Sequence, residues 1–392
     1  MNYYISKKTS GVSPGIIGTV LKYASDPSVI SMAAGSPSPE ALPVQAIRAI
    51  MDEIMADDIQ KALVYSLSEG FPPLREKLKV YLREDGRFSD NDDLFIVSGS
   101  QQSIDLACRV LCEEGDVIIC EEPSFIGALT CFRSYGVNIA GVPIREDGID
   151  LDLLEKALKE NDRVRFIYLI PNFQNPTGYT MSLEKRRACY ELAKRYNVLI
   201  LEDDPYGDLR FEGEALPSIK SMDKDGIVLY ARTFSKILSA GIRVGYFTLP
   251  KPLMSSMMVA KQSADVHSGM VSQLLCYRFI TEYDINAHLK AIGAIYGRKC
   301  RLMLNELGKL PADKISFSKP KGGLFVWATL LDGQDGGDFS LNLVKEKKVA
   351  VVPGSSFCTA SGAVSPSIRM TFAAPSDEQI VRGIAALGEM LV

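Results

Sequence analysis

Histidine and tryptophan are scarce in this sequence: two histidines, His267 and His288, and one tryptophan stand among 392 residues. The eight cysteines (Cys108, Cys112, Cys120, Cys131, Cys189, Cys276, Cys300, Cys358) form no CxxC pair. A closed zinc site needs paired Cys/His spacing, so no metal site is expected, and the thiols read as free, buried side chains in a reducing compartment. No apolar run approaches the roughly 20 residues that span a bilayer, and MNYYISKKTSGVSPG has no apolar core followed by a cleavage site. A cytoplasmic protein without a membrane partner is expected. A net charge of −4 and a pI near 5.5 supply no excess of Lys and Arg to neutralise phosphates, which argues against nucleic acid and for small-molecule partners.

Hydrophobic residues make up 46% and charged residues 23%, a globular composition, and the length exceeds one compact core. Short apolar runs at 94–100, 117–123, 164–171, 198–204, 227–233 and 244–250 are rich in β-branched residues and closed by Gly, Pro, Ser or Asp. Strands buried on both faces have this character. Amphipathic stretches such as QQSIDLACRVLCEEG and SLEKRRACYELAKRYN lie between them, so the spacing predicts an α/β unit with a mostly parallel sheet. After about Val271 long helices take over, followed by short strands at 322–330, 349–357 and 367–373 and a last helix, DEQIVRGIAALGEMLV. The expected division is a large domain over 48–285 and a smaller α/β domain made of 1–47 with 286–392.

In TFSKILSAGIRVGYFTLP, Lys236 follows directly on a strand, next to Thr233 and Ser235, with Arg243 seven residues on. Ligands of open α/β sheets bind beyond the carboxyl ends of strands, which is where this lysine falls. A lysine that attacks a carbonyl must lose its proton, and burial beside a cation such as Arg243 favours that. Any one lysine is more often a solvated surface residue. PNFQNPTG (171–178) forms a Pro/Gly turn at another strand end, and VLILEDDPYGDL places Asp203 and Asp204 at a third, where Asp204 in particular reads as a turn or helix cap. LFIVSGSQQSIDL runs strand, Gly/Ser turn, helix, and so offers backbone N–H groups and a helix dipole to an anion.

Taken in order, these segments resemble the fold type I pyridoxal-5′-phosphate (PLP) aminotransferases, the aspartate aminotransferase-like fold, over nearly the whole chain from about Val29. The S-K-x(6)-R segment looks like the family's cofactor-lysine motif and marks Lys236. The resemblance implies that Ser100, Gln101, Thr233, Ser235 and Arg243 surround the phosphate and that Phe125 stacks on the pyridine ring. Asn175 and Tyr206 would hydrogen-bond the ring hydroxyl oxygen, and Asp203 would pair with the ring nitrogen. Arg369 would hold the substrate α-carboxylate beside Asn175 and the backbone at Gly35. Tyr65, in VYSLSEGFPPLREKL, would reach the phosphate of a neighbouring subunit, making the functional unit a homodimer.

The implied reaction moves an amino group from an α-amino acid to a 2-oxo acid, expected to be 2-oxoglutarate, in ping-pong fashion, with Lys236, Asp203 and Tyr206 as catalytic residues. VISMAAGSPSPEALP and EDDPYGDLRFEG most resemble the 2-aminoadipate/kynurenine group. Members that recognise an acidic side chain can use an N-terminal arginine, whereas the first arginine here is Arg48. An aromatic or aliphatic donor therefore stands beside an acidic one. Two other uses of the scaffold stay open: a PLP lyase or racemase, and a PLP-binding effector domain of a transcription regulator. About 30 residues precede the domain, too few for a DNA-binding unit of its own.

Overall fold

The structure, a computed structural model, describes Tyr3, Ser6 and residues 15–391. In chain order the strands are β1 (Ile30–Ser31), β2 (Asp92–Val97), β3 (Val117–Glu122), β4 (Asn138–Arg145), β5 (Gly148–Ile149), β6 (Val164–Leu169) and β7 (Leu199–Asp203). There follow β8 (Val228–Thr233), β9 (Gly245–Pro250), β10 (Ile315–Phe317), β11 (Phe325–Leu330), β12 (Val349–Ala350), β13 (Val352–Pro353) and β14 (Ser367–Thr371).

The main sheet has the order β2-β9-β8-β7-β6-β3-β4-β5. Strands β8, β7, β6, β3 and β4 pair in parallel, while β9 lies antiparallel to both its neighbours. Because side chains alternate along a strand, the same strands feed two cores. Phe95, Ile118, Phe166, Tyr168, Leu201 and Leu229 pack on one face with Ile104, Ala107, Leu129 and Phe132 from the helices Ser100–Leu111 and Ile126–Ser134. On the other face Leu94, Ile96 and Tyr230 meet the helices Val44–Asp57, Pro72–Arg83 and Met270–Glu282. Farther along that face, Ile119, Ile167 and Ile200 meet Leu151–Glu160 and Leu183–Arg195. A second sheet, β10-β11-β14-β13, is antiparallel, and β1 pairs with β12. No described helix is long and apolar enough to cross a membrane.

Each main-sheet run expected from sequence is a strand. The run 94–100 stops at Val97, however, and Ser100 already belongs to the next helix, with Gly99 as its N-cap. The run 349–357 is not one strand but β12, β13 and a short helical turn, Gly354–Phe357. Strand β4 escaped the pattern search because it holds Gly141 and Pro143 and lies near the sheet edge, where most of its residues are partly exposed.

The loop leaving β6, which carries Asn175, is anchored from behind by Arg186. This fully buried arginine donates Nε–H to Met181 O at 3.0 Å and Nη1–H to Pro217 O at 2.9 Å. Its Nη2 donates to Pro171 O at 3.0 Å and Asn172 Oδ1 at 2.7 Å. Removing it strands three acceptors on buried residues, Met181 O, Pro171 O and Asn172 Oδ1, frees Pro217 O at the surface, and leaves a void. Arg186→Ala is expected to lower unfolding free energy by roughly 3–5 kcal/mol. Urea titration followed by circular dichroism checks this; a loss within about 0.5 kcal/mol, the range of ordinary surface changes, would show that the anchor is dispensable.

Candidate active site

The carboxyl ends of β3, β6, β7 and β8, the start of β9 and the second sheet surround a cavity of about 510 Å3. Its walls include Gly35, Ser100, Gln101, Phe125, Asn175, Asp203, Tyr206, Thr233, Ser235, Lys236, Arg243 and Arg369. Twelve of the thirteen residues singled out in the sequence thus meet in one place. Tyr65 is the exception: its side chain lies outside the cavity, is 87% exposed, and meets His267 edge-on at 5.8 Å.

Lys236 follows the last residues of β8 and is half-buried, its Nζ donating to Gly35 O at 2.8 Å. Burial first, then the positive charges of Arg369 and Arg243, lower its pKa to about 8, against an upward pull from Asp203. An appreciable fraction of the amine is therefore neutral near physiological pH.

Asp203 ends β7 with both oxygens buried. Tyr168 donates its hydroxyl to Oδ2 at 2.8 Å, while Oδ1 has no hydrogen-bond partner. Burial pushes Asp203 up to about 7. The next residue, Asp204, points to the opposite side of the sheet, as strand alternation requires. It is no turn or helix cap: it is buried, accepts from Asn172 Nδ2 at 2.9 Å and Tyr230 Oη at 2.8 Å, and faces Arg232.

The helix Ser100–Leu111, whose first residues line the cavity, begins without a side-chain cap, and a helix start of this kind suits an anion. The Ser235 hydroxyl lies 2.8 Å from that of Thr233, which donates to it. Arg243 donates to Ser235 Oγ and to Ser98 O, each at 3.3 Å. Its backbone has φ 52°, a left-handed conformation uncommon for a side-chain-bearing residue. Gly99 must be glycine here: at φ +77° a Cβ would sit 2.3 Å from Arg243 Nη2.

Arg369, on β14, crosses to the main-sheet loops. Its Nη1 donates to Asn175 Oδ1 at 2.9 Å and its Nη2 to Ala33 O at 2.6 Å. The guanidinium carbon lies 4.1 Å from the centre of the Phe325 ring and 5.0 Å from that of Phe357, and Nε has no partner. Burial lowers Arg369 to about 10, which leaves it charged at neutral pH. Tyr206 packs edge-on against Phe325 at 5.9 Å and accepts at its hydroxyl from Asn175 Nδ2 at 3.4 Å.

These donors suit a phosphate-bearing pyridine aldehyde. The uncapped helix start, Ser235 and Arg243 can take a dianion, the orphaned Asp203 Oδ1 can accept from a ring N–H, and Lys236 can engage the aldehyde. Among the described residues no group of His, Cys, Asp and Glu is arranged to hold a metal ion. Sequence reasoning missed Tyr168 and the apolar part of the wall, Leu21, Ile126, Phe325 and Val352. A tyrosine inside an apolar strand was the available signal for the first, since a buried hydroxyl requires a partner. The others adjoin the cavity only through tertiary packing.

The family described as "Aminotransferase class I and II" matches residues 27–387. Aromatic-amino-acid aminotransferase 1 of Thermococcus litoralis is 37% identical, with 99% of this chain and 94% of the relative covered. 2-Aminoadipate transaminase of Thermus thermophilus is 33% identical over 98% and 96%. The crystal structure of Pyrococcus horikoshii kynurenine aminotransferase, in complex with PMP, superposes with a TM-score of 0.94 at 35% identity. That comparison covers 99% of this chain and 96% of the other.

The lowered pKa of Lys236 is open to direct measurement. In cofactor-free protein its acylation by a small amine-reactive anhydride, followed by peptide mass mapping, is expected to rise through a midpoint near pH 8. Exposed lysines should follow about 10.4. A Lys236 midpoint at the exposed-lysine value would contradict the cavity's electrostatics.

Proposed function

The chain belongs to the class I and II aminotransferases, and from that premise we propose that this cavity transfers amino groups from an aromatic or large apolar amino acid to a 2-oxo acid. The fold is the aspartate aminotransferase-like fold type I, and the enzyme is a PLP-dependent transaminase. One observation carries the substrate class. The cations on the cavity wall are Lys236, Arg243 and Arg369, and the remaining wall includes Leu21, Ile126, Phe325 and Val352. With the phosphate on Arg243 and the α-carboxylate on Arg369, no cation of the described wall is left for an acidic side chain, while an aromatic ring would bury apolar surface.

The bound cofactor supplies an aldehyde that takes up the amino group and a protonated ring that accepts electrons from Cα. The chain's residues orient and move protons around it. Arg369 grips the α-carboxylate, with Asn175 and the Gly35 backbone beside it, which sets the Cα–H bond against Lys236. With its amine free, Lys236 would take that proton at Cα and deliver it to the former aldehyde carbon on the other side of the amino nitrogen. Asp203 would hold the proton on the ring nitrogen, Asn175 and Tyr206 would hold the ring hydroxyl oxygen, and Phe125 would stack on the ring. Ser100, Gln101, Thr233, Ser235 and Arg243 retain the phosphate. The second half of the cycle reverses these steps with 2-oxoglutarate as proposed acceptor.

A large unit of residues 48–285 and a small one of 1–47 with 286–392 belong to the same proposal, the first supplying Lys236, Asp203 and Asn175 and the second Arg369 and Gly35. The enzyme is taken to be cytoplasmic, where its eight unpaired thiols persist. A second copy of the chain is the proposed cover for the apolar stretch Leu63, Val64, Tyr65 and Leu67, all more than half exposed.

Two experiments test this reading. Mixed with an amino acid panel, the enzyme should give pyridoxamine phosphate and the matching oxo acid, fastest with aromatic donors. Lys236→Ala should abolish the reducible covalent cofactor adduct. Pyruvate with ammonia in place of the matching oxo acid, or a persistent adduct in the variant, would overturn the assignment; an acidic donor turning over fastest would overturn the substrate class. Separately, Tyr65→Ala and Lys236→Ala subunits, mixed under exchange, should recover turnover that neither parent has, because one hybrid site then holds both residues. A monomer by sedimentation, or no recovery on mixing, would refute shared sites.

A further inference from the structure

Asp203 presents its two oxygens unequally. Oδ2 is taken by Tyr168, and Oδ1 is buried without a partner. A buried carboxylate oxygen without a partner carries a desolvation cost that is removed when a donor arrives. The tyrosine that creates the inequality has no freedom to do otherwise. It is fully buried in the middle of the main sheet, its ring held edge-on by Phe132 at 5.5 Å. In the β6–β7 register Tyr168 stands opposite Leu201, two residues before Asp203 on the same face, so strand pairing itself brings hydroxyl and carboxylate together.

We propose that Tyr168 is a positioning residue for Asp203: its hydroxyl holds Oδ2 so that Oδ1 alone is offered to the cofactor's ring nitrogen, and it keeps the shared proton on the ring. The inference rests on Asp203 being the partner of that nitrogen. Its logic is a competition for electron density. A donor on Oδ2 weakens the carboxylate's hold on a proton at Oδ1, so the ring keeps it and remains the better electron sink. The groups around Asp203 are Asp204, which raises its proton affinity, and Lys236, Ser100 and Tyr168, which lower it. Beyond Tyr168 stands Glu121, also buried, with one oxygen unpartnered. Burial and Asp204 both act to keep a proton on Asp203, and the tyrosine hydroxyl is a neutral donor on the opposing side; burial holds Glu121 itself up to about 8, so it adds little charge near neutral pH.

The test uses Tyr168→Phe, with Asp203→Asn as reference and 3-fluorotyrosine at position 168, a stronger donor, as the opposite perturbation. In cofactor-free protein the Asp203 carboxyl, followed by difference infrared spectroscopy, should titrate about one pH unit or more higher in Tyr168→Phe and lower in the fluorotyrosine protein. In the loaded enzyme the ring-nitrogen 15N shift should move toward the unprotonated value in Tyr168→Phe, and kcat should fall about tenfold with KM unchanged. If Asp203→Asn alters ring protonation but neither change at 168 moves the infrared titration or the 15N shift, the role of Tyr168 is refuted. If Asp203→Asn itself leaves the ring nitrogen unchanged, the pairing of Asp203 is what fails. A fall in kcat caused by damage to the fold alone would leave the fluorotyrosine protein without its opposite shift, and that too would overturn the proposal.

Discussion

A lysine amine can engage an aldehyde or take a proton from carbon near neutral pH only if its own proton is held loosely. Lys236 meets that condition through loss of water and two guanidinium charges, with Asp203 opposing. The rest of the site follows from this. Arg243 and Arg369 lower the lysine, and they are also the groups that suit a phosphate and a carboxylate. When such anions bind, they offset the same charges, so the amine becomes a stronger base once its substrate is in place. One arrangement thus favours a neutral amine before binding and a better proton acceptor after it.

The sheet performs a second separation at the end of β7. Asp203 and Asp204 are consecutive, so the pleat sends them to opposite faces, and their surroundings drive their proton affinities apart. Burial raises Asp203 to about 7. Burial also works to raise Asp204, yet Arg232, Asn172 and Tyr230 hold it below the usual carboxylate range. Asp204 is then a fixed negative charge behind the cavity, stabilised by Arg232, which in turn pairs with Asp208. A carboxylate facing the cavity can share a proton with a ligand; one locked in an ion-pair network cannot.

Much of this was legible in the sequence because the chemistry clusters at strand ends, and strand ends are marked by Gly, Pro, Ser and Asp. Asp203 closes an apolar run, Lys236 and Asn175 follow closely on the ends of two others, and Arg369 lies in the last strand of the chain. Residues whose role depends on a neighbouring strand were not legible. Tyr168 looks like any aromatic in a buried strand until the β6–β7 register sets its hydroxyl against Asp203. Asp204 read as a cap because its partners, Asn172, Tyr230 and Arg232, are 26 to 32 residues away. Strand β4 was missed because Gly141 and Pro143 break the pattern that a central strand would keep. Phe325 and Leu21 belong to the cavity only through packing between parts of the chain far apart in sequence.

That difference in legibility has a physical origin in how the wall is divided. In the proposed reaction, proton transfer would depend on groups fixed by the main sheet, whose geometry tolerates little displacement. The surface open to a substrate side chain comes instead from the helix Gly15–Ala24 (Leu21), from Ile126 at the start of a helix, and from the second sheet (Phe325, Val352). Apolar contacts there are non-directional and tolerate exchange of one side chain for another of similar volume. Substrate range can therefore change at these positions while Lys236, Asp203 and Asn175 stay where the strands put them. Arg369 stands at the join of the two sets: it is carried by the second sheet, yet it bonds the Asn175 loop. A carboxylate on Arg369 would thus be held where the second sheet meets the fixed loops, and a side chain beside it would meet the adaptable wall.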